Sequence, residues 1–98
     1  MNLQRPPPFM KCLLNLYVIG KTEKSLMAIQ NLKKLLKKHE ETKDCELRII
    51  DISEHPELAD KKKIIATPTL ERKLPQPIRR IIGDLSDEEK VLIGLEMA

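Results

Sequence analysis

Ile64-Ile65-Ala66-Thr67-Pro68-Thr69-Leu70, followed by Leu74-Pro75-Gln76-Pro77-Ile78-Arg79-Arg80-Ile81-Ile82-Gly83-Asp84-Leu85, is the stretch that decides the reading of this chain. Two short apolar runs, Thr69 to Leu74 and Ile78 to Ile82, flank a proline-rich turn. Proline fixes φ and cannot donate to a ladder, so the runs read as strands, the prolines as punctuation, and the whole as a hairpin. Pro68 stands just before the first run, where it can start a strand or carry a cis peptide bond without losing a needed hydrogen bond.

Outward from the hairpin, the upstream half reads strand, helix, strand. Met10 to Ile19 is a nearly continuous apolar run closed by Gly20, the pattern of a central strand covered on both faces. Thr22 offers an N-cap and Glu23 suits the positive end of the helix dipole. Leu26, Ile29, Leu32, Leu35 and Leu36 recur at spacings of three and four, predicting an amphipathic helix to about His39. Lys33, Lys34, Lys37 and Lys38 crowd its outer face; a solvated face that complements the dipole is preferred to a basic docking patch. Glu40 to Asp44 is a polar connection, and Cys45 to Ile52 alternates and then turns apolar as a second strand. Strand, helix, strand at this length implies a right-handed crossover and a parallel pair.

Ser53, ahead of Glu54-His55-Pro56-Glu57-Leu58-Ala59, is the expected cap of a short second helix that carries Asp60-Lys61-Lys62-Lys63 into the hairpin. Beyond the hairpin, Ser86-Asp87-Glu88-Glu89 reads as a capping box with Ser86 at N-cap, opening a helix through Val91, Leu92, Ile93, Leu95 and Met97. The predicted order is β-α-β-α-β-β-α, a thioredoxin-like α/β domain over residues 10–98, preceded by a Pro-rich N-terminal arm over residues 1–9.

Composition limits what such a domain does. Ninety-eight residues, 41% of them hydrophobic, support one modest core. A net charge of +3, one Tyr, one Phe and no Trp argue against a dedicated nucleic-acid binder. No apolar run approaches the roughly 18 to 20 residues that span a bilayer, and the N-terminus lacks a signal-peptide core, so a cytoplasmic location and no membrane partner are expected.

Thiol chemistry of the thioredoxin type needs Cys-x-x-Cys where the first strand meets the first helix, because the helix N-terminus lowers the thiol pKa. That place reads Gly20-Lys21-Thr22-Glu23-Lys24-Ser25. Cys12 and Cys45 fall on predicted strands and are expected as buried, reduced thiols acting as small hydrophobes. His39 and His55 lack partners at a recurring metal spacing, and Gly20, Gly83 and Gly94 make neither a P-loop nor a dinucleotide fingerprint. No cofactor and no metal are expected. A glutathione-handling domain with Ser25 in place of cysteine is the residual enzymatic reading, and a non-enzymatic protein is preferred.

The runs Leu16-Tyr17-Val18-Ile19-Gly20, Ile50-Asp51-Ile52, Pro56-Glu57-Leu58-Ala59, Ala66-Thr67-Pro68-Thr69-Leu70, Leu74 to Ser86 and Glu89 to Leu95 resemble the KaiB family, and the likeness covers about Leu14 to Glu96. The resemblance implies a small non-enzymatic partner of a KaiC-type ATPase in a bacterial circadian oscillator, with KaiA-like or sensor-kinase proteins as further partners. It also implies two folds: a tetrameric ground state with a rearranged C-terminal half, and a thioredoxin-like state that docks on the ATPase. By the same resemblance Lys63 and Arg48 match partner-contacting positions, and Gly94 and Glu96 match positions that bias the choice of fold. Pro68, Pro75 and Pro77 would add slow kinetics to such a change of fold, because X-Pro isomerisation takes roughly tens to hundreds of seconds; the alternative is that they only shape the hairpin.

Local preference in the last element is nearly balanced: its capping signal favours helix, while two β-branched residues and Gly94, which costs about 1 kcal/mol of helix propensity, oppose it. Three departures from the family pattern bear on partners and assembly: Met27 replaces an arginine, Cys12 replaces an aromatic, and the chain ends at Ala98 without an acidic tail. Two functions therefore stay open. One is a clock-type protein that binds a KaiC ring and changes fold to do so, itself a homo-oligomer such as a dimer or tetramer; the other is an adaptor in stress adaptation or signalling, fixed in the thioredoxin-like state and not binding KaiC.

Overall fold

The computed structural model describes residues 11–97, so the expected arm at residues 1–9 lies outside the described residues. The elements are β1 (Cys12–Val18), α1 (Glu23–Lys38), a 3-10 turn (Glu40–Thr42), β2 (Cys45–Asp51), α2 (Pro56–Lys61), β3 (Thr69–Leu74), β4 (Arg79–Ile82) and α3 (Glu88–Gly94). They form one four-stranded mixed sheet in the order β2-β1-β3-β4. β1 pairs parallel with β2 and antiparallel with β3, and β3 and β4 make the antiparallel hairpin.

All seven residues of β1 are buried, as its unbroken apolar run requires. Alternate side chains serve two cores. Leu14, Leu16 and Val18 pack with Ala28, Leu32 and Leu35 of α1 and with Val91, Leu92 and Leu95 of the α3 region. On the opposite face Tyr17 packs with Ile50 and with Leu58 of α2. The face of α1 that enters the core is the predicted one widened by small residues. Ser25, Ala28, Leu32 and Leu35 are buried, Ile29 and Leu36 pack against the core, and Leu26 alone departs, being 45% exposed. Small residues at 25 and 28 let the helix lie close to the sheet, a signal that counting only large apolar residues misses.

Two predicted caps are reassigned. Ser53 donates its backbone N–H (2.9 Å) and its hydroxyl (2.6 Å) to Asp51 Oδ1, which also accepts from the Gly20 N–H at 3.0 Å. Those bonds fasten the loops after β1 and β2 and hold the Asp51 carboxyl below its ordinary range, the Ser53 hydroxyl contributing most. Helix α2 starts instead on Pro56, whose missing N–H costs nothing at that position. At α3 the cap is Asp87, which accepts from the Lys90 N–H at 3.1 Å, one residue later than predicted, and the helix stops at Gly94 rather than running through Met97. Thr22 caps α1 as expected, accepting from the Ser25 N–H at 3.3 Å.

The cysteines correct a further expectation. Cys12 and Cys45 are joined in a disulfide. Each is the first residue of its strand, and in the parallel register they are direct partners, with Cα atoms 4.4 Å apart. The bond closes the entire β1-α1-β2 crossover, a sequence separation of 33 residues. Cross-linking a loop of that size restricts the unfolded chain and stabilises the fold by about 2–4 kcal/mol. Cys45→Ser is accordingly expected to lower unfolding free energy by about that amount in urea titrations. Dithiothreitol should destabilise the parent to the same degree and leave the variant unmoved.

Candidate partner-binding faces and the buried charges between them

One row of polar side chains crosses the whole sheet on the α2 side. Arg48 on β2 pairs with Asn15 on β1, Asn15 with Glu71 on β3, and Glu71 with Arg80 on β4. Paired residues in adjacent strands point to the same face, so the four stand side by side. Glu71 is 1% exposed and is the centre of the row. Its Oε2 accepts from Arg80 Nε (3.0 Å) and Nη2 (2.8 Å), and its Oε1 accepts from Asn15 Nδ2 and the Tyr17 hydroxyl, both at 3.2 Å. Burial, the largest single influence, pushes this carboxyl up; the bonds from Arg80, Asn15 and Tyr17 together outweigh it and hold Glu71 below its ordinary range. Tyr17 is pushed up, first by burial and then by the charge of Glu71.

On the other face, Arg72 of β3 is 4% exposed and reaches past the sheet edge. Its guanidinium donates to the Leu95 carbonyl at the end of α3 and to the Pro77 carbonyl in the hairpin turn, the latter at 2.7 Å. Glu96 sits beside it, 3.9 Å from Arg72 Nη2 and 3.2 Å from Arg79 Nε, in a left-handed conformation with φ 57°. Gly94 lies against Ile81: a Cβ there would stand 2.8 Å from Ile81 Cδ1. Thus Pro77 and Glu96, singled out in the sequence, meet at one arginine that the sequence reading passed over, while Gly94 packs against Ile81 one residue before Leu95, whose carbonyl this arginine binds. The signal was present, since Arg72 interrupts an otherwise core-directed strand and therefore needs carbonyl partners. The opposite end of α3 is tied to α1, where Glu88 accepts from Lys38 at 3.1 Å and lies 3.3 Å from His39 Nε2.

Lys63 and Arg48 do not meet. Lys63 is exposed, has φ 53°, and its carbonyl accepts from Arg80 Nη1 at 3.4 Å, next to edge strand β4. It borders a shallow cavity of about 160 Å³ with Ile64, Ile65, Thr69 and Ile82, where Ile65 is 88% exposed. Pro68 is buried just behind, and the Thr67-Pro68, Leu74-Pro75 and Gln76-Pro77 bonds are all cis. Arg48 belongs to the other edge strand, β2, and lines a larger cavity of about 550 Å³ with Leu26, Ile29 and Ile49. Ile19 and Met27 are exposed on the neighbouring surface elements. The chain therefore presents two apolar and cationic faces, one at each edge of the sheet.

The position of a thioredoxin thiol pair is occupied by hydroxyls. Thr22 Oγ1 and Ser25 Oγ are 2.8 Å apart, and Ser25, 1% exposed, also bonds the Ile19 backbone N–H at 3.3 Å. Ser25 thus serves to fasten the helix start. Among the described residues no group of three or more His, Cys, Asp or Glu side chains is placed to hold a metal, and no helix is long and apolar enough to cross a membrane.

An open-edged mixed sheet with helices on both faces, a cis proline ahead of β3 and no thiol pair at the first helix defines a thioredoxin-like protein without the thioredoxin site. Solved structures agree on the architecture. The N-terminal domain of Synechococcus elongatus SasA superposes with a TM-score of 0.73 at 24% identity, covering 100% of this chain and 95% of that one. Mitochondrial thioredoxin 3 from Saccharomyces cerevisiae gives 0.71 at 22% identity, covering 92% and 81%. The family is defined by sequence: the KaiB domain model matches residues 15–97, and the chain belongs to the KaiB family. It is 52% identical over 85 residues to the circadian clock oscillator protein KaiB of Prochlorococcus marinus subsp. pastoris, covering 87% of this chain and 78% of that protein. The Synechococcus elongatus protein of the same name is also 52% identical over 85 residues, covering 87% and 82%.

Two outcomes follow from the buried charges. Glu71→Gln is expected to destabilise by about 2–3 kcal/mol at neutral pH, because Arg80 loses its buried counter-charge. Glu71 has a lowered folded pKa, so its contribution is complete above the unfolded value near 4.5 and fades as pH falls through the folded one. Urea titrations of parent and variant should therefore converge on acidification, and a constant gap would refute the role. Arg72→Met should loosen the last turn of α3 first, read as loss of helical Cα shifts and faster amide exchange over residues 91–96 with β1 amides unaffected.

Proposed function

We propose that this protein acts by binding, as a non-enzymatic clock-type partner of a KaiC-type ATPase whose phosphorylation and timing cycle it modulates, with Lys63 in the contact. The observation that carries the reading is the face at the β4 edge, where an exposed cation, the 88% exposed Ile65 and exposed Ile82 surround a shallow concavity in a chain of this family. Exposed aliphatic side chains beside cations suit a partner surface that is apolar at its centre and acidic at its rim. The face at the β2 edge, with Arg48, is a second and separate contact, suited to a KaiA-like or sensor-kinase protein. Being at opposite edges, the two can be engaged together.

The proposal includes a change of fold. Arg72, Gly94 and Glu96 hold the end of α3 against the hairpin in the thioredoxin-like arrangement, and a rearranged, oligomeric ground state would have to give up those bonds. A gap of a few kcal/mol is sufficient for such exchange, and the bonds named here are of that order. A second reading, an adaptor in stress adaptation that stays in one fold and ignores KaiC, is favoured by Met27, 40% exposed where the family resemblance expects an arginine.

A native mobility shift with a KaiC-type ATPase and ATP separates them. The expected result is a complex that forms slowly with the parent and is weakened at least tenfold by Lys63→Glu or Ile65→Asp, both exposed and so neutral for folding. Absence of any complex with a ring that binds a related KaiB protein in parallel would overturn the clock reading.

A further inference from the structure

Strand β2 forms one edge of the sheet, and the direction of its backbone groups follows from a single bond. The Ile52 N–H donates to the Val18 carbonyl at 2.9 Å, and alternate residues of a strand turn their backbone groups to opposite edges. Glu46, Arg48 and Ile50 therefore bond β1, whereas Cys45, Leu47 and Ile49 turn N–H and C=O groups outward, where no strand lies among the described residues. An unpaired row of this kind is a template for another strand.

The residues of β2 select the strand that fits. Apart from Asp51 at its end, its charged residues are Glu46 and Arg48, which flank Leu47 and stand on one face, joined by an Arg48 Nε to Glu46 Oε2 bond at 3.0 Å. Arg48 Nη1 has no acceptor among the described residues. If a second copy is turned antiparallel about Leu47, Leu47 meets Leu47, and Glu46 of each copy meets Arg48 of the other. The backbone allows that register, because an axis through an outward-facing residue pairs outward groups with outward groups, Leu47 with Leu47 and Cys45 with Ile49. Glu46 and Arg48 then fall at the sites without hydrogen bonds, where facing side chains come closest. Neighbouring registers fail: centring on Glu46 or Arg48 sets like charge on like, and centring on Ile49 leaves Arg48 opposite Ile50. Strand β4 offers no such match, since it carries Arg79 and Arg80 and no carboxylate. Exposed Ile49 lines the cavity beside β2 with Leu26 and Ile29 of α1, so the same approach sets the apolar walls of two copies side by side.

We propose that two copies of this chain, both in the thioredoxin-like arrangement, associate through β2, antiparallel about Leu47, into one sheet continuous across the pair. Because each copy contributes the same strand, the assembly closes at two and leaves a β4 edge free at each end. It covers Arg48 and with it the second contact proposed above, so self-association and that contact exclude each other, while the Lys63 face stays open. The interface does not rest on the ATPase reading. A parent that stays monomeric sinks this interface alone, and absence of the ATPase complex leaves it untouched.

The test is sedimentation equilibrium together with amide exchange on the full chain, over a concentration series up to the solubility limit. The parent is expected to reach a dimer, with the amides of Cys45, Leu47 and Ile49 gaining protection as concentration rises and those of β4 unchanged. Glu46→Arg and Arg48→Glu each set like charges across the axis, and each alone should weaken association at least about tenfold. Mixed in equal amounts they should recover a dimer, because each variant then meets its opposite charge pattern. Amide spectra that match the parent outside β2 establish that the variants are folded; should either misfold, the alternating protection in the parent decides alone. The interface is refuted by a parent that remains monomeric throughout, by protection at β4 in place of β2, by single variants that dimerise as the parent does, or by folded variants that fail to recover on mixing.

Discussion

Burial of β1 along its entire length is the constraint on which the rest depends. A strand with no solvated face needs a layer on each side and a partner on each edge, and every other element supplies one of these. α1 and α3 cover one side with leucine, valine and alanine. α2 covers only part of the other, and there the sheet carries Asn15 and Glu71 in the middle of the domain. A carboxylate at that depth is tolerable only because Arg80 reaches it with two bonds and Asn15 and Tyr17 saturate its second oxygen. The polar row is therefore also a register device: slipping β3 by one residue against β4 would part Glu71 from Arg80, and slipping it against β1 would part Glu71 from Asn15 and Tyr17.

The elements were legible in the sequence because their signals are local. An apolar run closed by Gly20, a capped periodic segment after Thr22 and prolines bracketing two short runs each report on one stretch of backbone. What could not be read is what depends on pairing. Glu71 and Arg72 are adjacent in sequence and serve opposite faces, one closing a polar row and the other binding the carbonyls of Leu95 and Pro77; a strand pattern alone gives neither partner. The disulfide belongs to the same class. Cys12 and Cys45 become partners only once the parallel register starts both strands together, and the expectation of reduced thiols rested on compartment rather than on geometry. The misplaced caps have a smaller cause. Ser53 and Ser86 are competent caps, but Asp51 and Asp84 accept from each of them and leave Pro56 and Asp87 to open the helices.

Of the residues singled out in the sequence, Glu96 and Pro77 are brought together at Arg72, with Gly94 against Ile81 in the preceding turn, whereas Lys63 and Arg48 are set at opposite edges of the sheet. That separation is itself informative about binding. A cluster around a nearly buried arginine offers little area to a partner and much leverage on the position of α3. Exposed edges flanked by isoleucines offer area and little leverage. On the proposed reading, contact and conformational balance fall to different residues, and a substitution in one group need not disturb the other.

The thioredoxin architecture is present here without the thiol pair at the start of its first helix. A reactive thiol needs the start of the first helix to have a vacant, partly solvated donor site that stabilises a thiolate. Thr22 and Ser25 fill that site with hydroxyls bonded to each other and to the Ile19 backbone, so the helix dipole is spent on a cap. The chain's only two cysteines are placed at the far end of β1 and on β2, where they cross-link the crossover instead of meeting a substrate. With its helix start closed and its sulfur built into the frame, the domain presents two sheet edges, each bordered by exposed apolar side chains and a cation, held at a fixed spacing by the two central strands between them.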